Sequence, residues 1–208
     1  AEDRHGEFLR RGKEADFGLV YRSVSYGQPI GILMSTPQHI VASALGLFYR
    51  NGFHASGVDL LSREAGVTKK TLYRHYPSKD VLIEAALALR HTQFMARLRA
   101  FVEQAAVEQR PLAYVDFIAG WVQEDDFCGC AFINASAEFA QVDSAPHQQA
   151  ASHKQEIQQY VLALCAAAGA RQPEPLATQL FLIGEGLIVG CQVQQAHKAA
   201  LVEGAVAA

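Results

Sequence analysis

SGVDLLSREAGVTKKTLYRHYPSKD, Ser56 to Asp80, reads as two short helices joined by a sharp turn and followed by the start of a third. Ser56 is placed to cap the first helix, and Asp59, three residues on, could return a bond to the Ser56 backbone as an aspartate variant of the capping box. Leu60, Leu61 and Ala65 give that helix an apolar stripe. Gly66 then supplies the positive φ that a tight helix-to-helix turn requires. Thr68 caps a second helix in which Leu72 and Tyr76 share one face, and the ring of Pro77 stops it. Ser78 caps the third. Two short helices on a glycine turn, the second carrying Lys69, Lys70 and Arg74, describe a DNA-binding helix-turn-helix.

The 208 residues, half of them hydrophobic, suffice for one large domain or two small ones. The formal charge of −3 conceals an asymmetry. Between Met34 and Arg99 nine bases face four acids, whereas from Ala100 onward four bases face twelve acids. A basic front on an acidic body predicts that only the front meets a polyanion. Cys128, Cys130, Cys165 and Cys191 have no metal-finger spacing, and no secretory leader precedes them, so a reduced, cytoplasmic protein without metal or cofactor is expected. The run Leu180 to Cys191 is interrupted by Glu185 and is shorter than the ~18 residues that span a bilayer, so no membrane role is expected.

Residues 1–33 lack helical periodicity, and the natural start is expected at Met34. The preceding segment would be a non-native or flexible extension, or an arm that reaches a DNA groove. Thr36 and Pro37 read as a cap with proline at the first helical position, followed by Ile40, Val41, Ala44, Leu47 and Phe48 at helical spacing and by Asn51 and Gly52 as the stop. With Ser56 to Asp80 this gives a three-helix head over 34–80. From Ser78 to about residue 107, Leu82, Ala86, Leu89, Phe94, Leu98 and Phe101 predict one long helix that joins the head to a body over 81–208. Pro111 opens another helix, and Cys128 to Ala140 forms a further apolar segment. Ser144 to Pro146 begins a helix closed by Gly169, and Leu176 to Gln192 precedes a short alanine-rich terminal helix. No alternating run or hairpin signal occurs, so the fold class is all-α.

The run EAGVTKKTLYRHYPSKDVL, Glu64 to Leu82, resembles the signature of the tetracycline-repressor (TetR) family of bacterial transcription regulators, with similarity over about Ile40 to Ala86. CGCAFINASAEF, Cys128 to Phe139, is similar to a segment of many members. The resemblance implies a homodimer with DNA-binding heads and a ligand-binding body, acting as a repressor that releases a palindromic operator when an effector binds. Matched position by position, it nominates Lys69, Lys70, Thr71, Tyr73 and His75 as DNA contacts and Lys79 as a phosphate contact. Helical geometry with Leu72 inward independently exposes Lys70 and Arg74 and puts Thr71 and Tyr73 on the flanks. It turns Lys69 and His75 inward.

For the body, the resemblance implies dimerisation through Leu176 to Gln192 and the C-terminal helix, where Gly186 and Gly190 would allow close helix approach. Phe94, Phe101, Tyr114, Phe117, Trp121, Phe132, Asn134 and Phe139 are the candidate effector contacts, suited to a small and mostly apolar molecule. Cys128 and Cys130 offer an alternative, thiol-based redox sensing. His147 and His153, six apart, read as surface or rim residues. An enzyme or carrier bundle is the remaining alternative, but no HExxH, P-loop or serine-nucleophile motif is present, so catalysis is not expected.

Overall fold

The computed structural model describes residues 35–206, and the extension expected over 1–33 lies outside them. All regular structure among the described residues is helical: α1 Thr36–Asn51, α2 Val58–Glu64, α3 Lys69–His75, α4 Lys79–Val102, α5 Arg110–Trp121, α6 Ala131–Glu138, α7 Ala145–Ala167, α8 Pro173–Val193 and α9 Lys198–Val206.

Local chemistry accounts for most of the boundaries. Ser35, not Thr36, is the N-cap of α1, so Pro37 lies in the first turn one position later than expected. Gly52, at φ 86°, ends α1. Ser56 does not cap α2. Gly57 does, while the fully buried Ser56 hydroxyl donates to the Gly52 carbonyl at 2.7 Å and fastens the chain to the end of α1. Asp59 correspondingly turns away from Ser56 and pairs with Lys69. At the α2–α3 turn Gly66 takes φ 60°, with Val67 N–H bonded to the Ser62 carbonyl at 2.9 Å and Gly66 N–H to that of Arg63 at 3.0 Å. This is the Schellman pairing that a positive-φ residue permits. Thr68 and Ser78 cap α3 and α4 through the Thr71 and Val81 amides, as predicted. The long helix ends at Val102 rather than near 107, where the chain turns before a short 3-10 segment. Pro173 and Pro175 do not interrupt the last long helix. They form its first turn, where a missing N–H costs nothing.

One continuous core joins head and body. Ile40, Phe48, Phe53, Leu61, Leu72 and Leu82 close the head, and α4 carries the core onward through Ile83, Leu87, Met95 and Leu98. In the body α7 packs against α8, α6 and α4, and α5 packs against α8. Helix α8 is long and apolar enough to cross a membrane by length and composition, yet it buries Leu180, Phe181, Leu187 and Ile188 in this core.

Tyr114 of α5 is fully buried with no partner for its hydroxyl, and a Cβ placed on Gly184 of α8 would lie 2.5 Å from that oxygen. Tyr114→Phe is expected to stabilise the fold by about 1–2 kcal/mol, because it removes an unsatisfied buried group. Gly184→Ala should destabilise by about 1–3 kcal/mol through overpacking. The double variant should recover most of that loss, as read by denaturant unfolding at one protein concentration. Strictly additive effects would refute the contact.

Candidate functional site

Helix α3 has one buried residue, Leu72, which seats it on the head and turns its other faces outward. Lys70, Tyr73 and Arg74 are exposed. Thr71 is half-buried, its hydroxyl 3.0 Å from that of Thr68 at the N-terminus of the helix. Lys69 is exposed but held by Asp59 of α2, so it reaches outward despite its inward phase. His75 follows its phase instead. It is half-buried with a sequestered Nε2, which turns that nitrogen toward the head and away from the outward face. Lys79, at the start of α4, donates to the His54 carbonyl at 3.1 Å. Tyr76 closes the unit by donating to the Pro37 carbonyl of α1 at 3.1 Å.

The head is fixed to the body by a contact that residue types alone do not announce. Glu138, the last residue of α6, accepts the Phe53 N–H at 2.9 Å and the His54 N–H at 2.7 Å, and lies 3.0 Å from the His54 ring. Phe139 packs against His54 at a tilt of 31°, with ring centroids 4.7 Å apart. A second attachment runs from the body's Cys128 N–H to the Tyr49 hydroxyl of α1 at 3.1 Å. Beside it the buried Arg90 guanidinium lies over the Tyr49 and Trp121 rings, at 5.0 and 5.6 Å, and burial lowers its pKa to about 10.

A cavity of about 510 Å3 opens between α4 and α7. Helix α4 contributes Glu84, Leu87, Ala88, His91 and Thr92, α7 contributes Ala145, Gln148, Gln149, Ser152, His153 and Glu156, and α6 contributes Phe132. Of the eight contacts expected from sequence, only Phe132 lines it. Phe94, Phe117 and Trp121 form a cluster of edge-on rings in the core, joined by Phe101 against Phe117. Tyr114 meets Gly184, Asn134 accepts from the Gln192 amide at 2.9 Å, and Phe139 belongs to the head junction.

The reason is geometric. These rings face inward and fill the core, whereas the cavity walls are the half-polar faces of two long helices, repeating at three and four residues along 84, 88, 91 and 145, 149, 152, 156. His153 is the clearest correction. It is 2% exposed instead of lying at the surface, stacks on Phe132 with centroids 3.6 Å apart, and sits 3.0 Å by Nδ1 from Nδ1 of His91. Burial, with Lys154 and His91 nearby, pushes its pKa far below the usual histidine range, so it stays neutral. His91 in turn presents Nε2 to Glu156 at 3.2 Å. His147 is half-buried, with Nδ1 2.9 Å from the Phe139 carbonyl.

All four cysteines are free thiols, and no group of three His, Cys, Asp or Glu side chains suited to a metal occurs among the described residues. Cys130 is buried, and burial followed by Asp126 raises the Cys128 pKa. A raised thiol pKa is the opposite of what an oxidant-sensing cysteine needs.

Residues 40–86 match the family described as bacterial regulatory proteins, tetR family. The HTH-type transcriptional regulator UidR of Escherichia coli (strain K12) is 31% identical over 68 residues, covering 33% of this chain and 35% of that protein. The HTH-type transcriptional regulator RutR of the same strain is 36% identical over 76 residues, covering 36% of this chain and 34% of that protein. The alignments thus span about a third of the length of these curated relatives. Solved structures extend the likeness into the body. A TetR-family transcriptional regulator from Streptomyces coelicolor is 28% identical with a TM-score of 0.72, covering 83% of this chain and 89% of that one. A TetR-family regulator from Cytophaga hutchinsonii, 16% identical, shares the fold with a TM-score of 0.72 over 82% of this chain and 91% of that one. A head that matches the family over residues 40–86, on α1 to α4, and a body that shares the fold of a TetR-family regulator make this chain a member of the TetR family of bacterial transcriptional regulators.

Proposed function

We propose that the protein is a cytoplasmic, homodimeric transcriptional regulator that inserts α3 of each head into successive major grooves of a palindromic operator and releases it when a small molecule fills the α4–α7 cavity. The observation that carries the DNA reading is the outward face of α3, where Lys70, Tyr73 and Arg74 stand exposed on a helix whose one buried residue is Leu72. A lysine can donate to guanine O6 or N7, and a tyrosine hydroxyl suits a phosphate. Thr71, with its methyl, is placed to meet a thymine. Lys69 and Lys79 sit near enough to the surface for phosphate contact, each exchanging its present partner for the DNA. His75 acts from within the head by supporting α3.

Two heads of a dimer fit a simple two-fold operator when their recognition helices lie about 34–36 Å apart. An effector lowers operator affinity only to the extent that it binds better to a dimer with another spacing. Helix α4 lines the cavity and begins in the head, which makes it the natural lever. Helix α6 offers a second route, with Phe132 in the cavity and Glu138 on the head loop.

The test is to recover the fragments that the purified protein selects from genomic DNA and compare wild type with Lys70→Ala on them. Lys70→Ala is expected to weaken specific binding by about 1–3 kcal/mol and to relax preference at one base position. Equal affinity of wild type and variant across operator variants would remove Lys70 from base readout. Failure to select any fragment would overturn the proposal as a whole.

A further inference from the structure

We propose that the α4–α7 cavity is selective for an organic cation, a protonated amine or amidine carrying a flat apolar part. The inference rests on the effector reading of that cavity and differs from the mostly apolar molecule expected from the aromatic content of the sequence.

Charge is the first support. Two carboxylates, Glu84 and Glu156, line the cavity, and among the described residues no lysine or arginine does. Glu156 is already engaged, by Arg99 at 3.2 Å and His91 at 3.2 Å. Glu84 forms no ion pair among the described residues and is the carboxylate left to receive a positive charge. An anion placed here would meet two carboxylates with no cation on the wall, and this repulsion gives selectivity without any added contact.

An unpaired acceptor is the second. Gln149, which lines the cavity, is anchored through Nε2 to the Glu84 carbonyl at 3.1 Å, and its buried Oε1 has no partner. Buried polar groups are normally bonded, so a lone acceptor marks the place of a missing donor. An ammonium or amidinium N–H between Glu84 and Gln149 would satisfy both groups at once.

The third is the floor. Phe132 lies parallel to the His153 ring, with an interplanar angle of 15°. Both line the cavity and are only 2% exposed, so the stacked pair gives it a tightly packed, largely apolar base against which the flat part of the molecule can rest. A volume of about 510 Å3 suits a molecule of one or two rings.

The full chain would be titrated calorimetrically with three molecules that share one indole ring: tryptamine, tryptophol and indole-3-acetate. Tryptamine is expected to bind roughly tenfold or more tightly than tryptophol, a charge-assisted contact of the usual size, and indole-3-acetate more weakly than either. Glu84→Gln should remove the amine's advantage and leave tryptophol unchanged. Glu84→Lys should reverse the order in favour of the acetate. Glu84 is half-exposed, so both variants should fold, and their circular dichroism would verify it.

Equal affinity for the three probes, tighter anion binding, no amine binding at millimolar concentration, or an amine preference that survives Glu84→Gln would each overturn the inference. The effector reading fails separately. Amine binding that leaves affinity for a selected DNA fragment untouched would defeat effector control and keep cation selectivity, whereas DNA release by the three probes without charge preference would do the converse.

Discussion

Leu182→Arg is expected to convert the protein to a monomer and to abolish tight operator binding. Helix α8 buries Leu180, Phe181, Leu187 and Ile188 against its own chain, yet leaves Leu182 60% exposed, Val189 44% and Val193 75%. With the exposed Gly186 these residues fall at steps of four, three and four, so they form a single stripe along one side of the helix. A Cβ added to Gly186 would meet nothing within 4 Å, which leaves the backbone open to close approach by a second copy. Gly190, in contrast, is occupied from within by Leu201 of α9, so the terminal helix braces α8 from behind.

A two-fold interface sets this stripe against itself, and an arginine at position 182 would therefore appear twice in one contact. Burying an unpaired charge costs several kcal/mol, so the dimerisation constant should fall by about a thousandfold or more. Each released monomer would keep an intact head but lose the second half-site. Sedimentation equilibrium combined with a gel shift on a selected fragment checks both statements. Val142→Arg, at a position 74% exposed in the loop before α7, serves as the control and should change neither. A Leu182→Arg protein that remained dimeric would rule out α8 as the interface.

The head was legible in the sequence because its information is local. Gly66, Thr68, Pro77 and Ser78 each act on backbone groups within a few residues, and each acts as read. Where a local rule offered two equivalent choices, sequence reading erred by one residue. Ser35 and Thr36 are both good caps, and so are Ser56 and Gly57. Side-chain bonds distinguish them: Gln38 accepts the Ser35 N–H at 3.0 Å in the first case, and in the second the Ser56 hydroxyl is taken up by the Gly52 carbonyl. The cavity was not legible. Aromatic residues signal burial, and Phe94, Phe117 and Trp121 are indeed buried, but burial in a core and enclosure around a ligand share the same composition. What distinguishes the cavity is a facing pair of polar stripes on α4 and α7, helices whose mutual register depends on the whole bundle. The Glu138 junction was hidden for the same reason, since 84 residues separate it from His54.

Glu138→Gln is expected to loosen the head without displacing anything from the cavity. The carboxylate receives the Phe53 and His54 amides and the His54 ring, while a glutamine offers one neutral oxygen in its place. Replacing charge-assisted bonds by neutral ones should cost about 1–3 kcal/mol, seen as a tenfold to hundredfold loss of hydrogen-exchange protection at those two amides. If α6 carries the effector signal, the variant should still bind its ligand yet release DNA less completely, because the cavity end of the helix would no longer hold the loop that α2 and α3 follow. Acidity gives an independent check. Burial raises the Glu138 pKa, but the hydrogen bonds from the loop outweigh it and leave the net value below the ordinary carboxylate range. The folded protein therefore binds this proton less readily than the unfolded chain. The contribution is complete above the unfolded pKa of about 4.3 and disappears as pH falls through the folded value. Wild type and Glu138→Gln should accordingly differ most near neutrality and converge in acid. A difference that stayed constant from pH 7 down through the carboxylate range would show that the ionised carboxylate is not what holds the head.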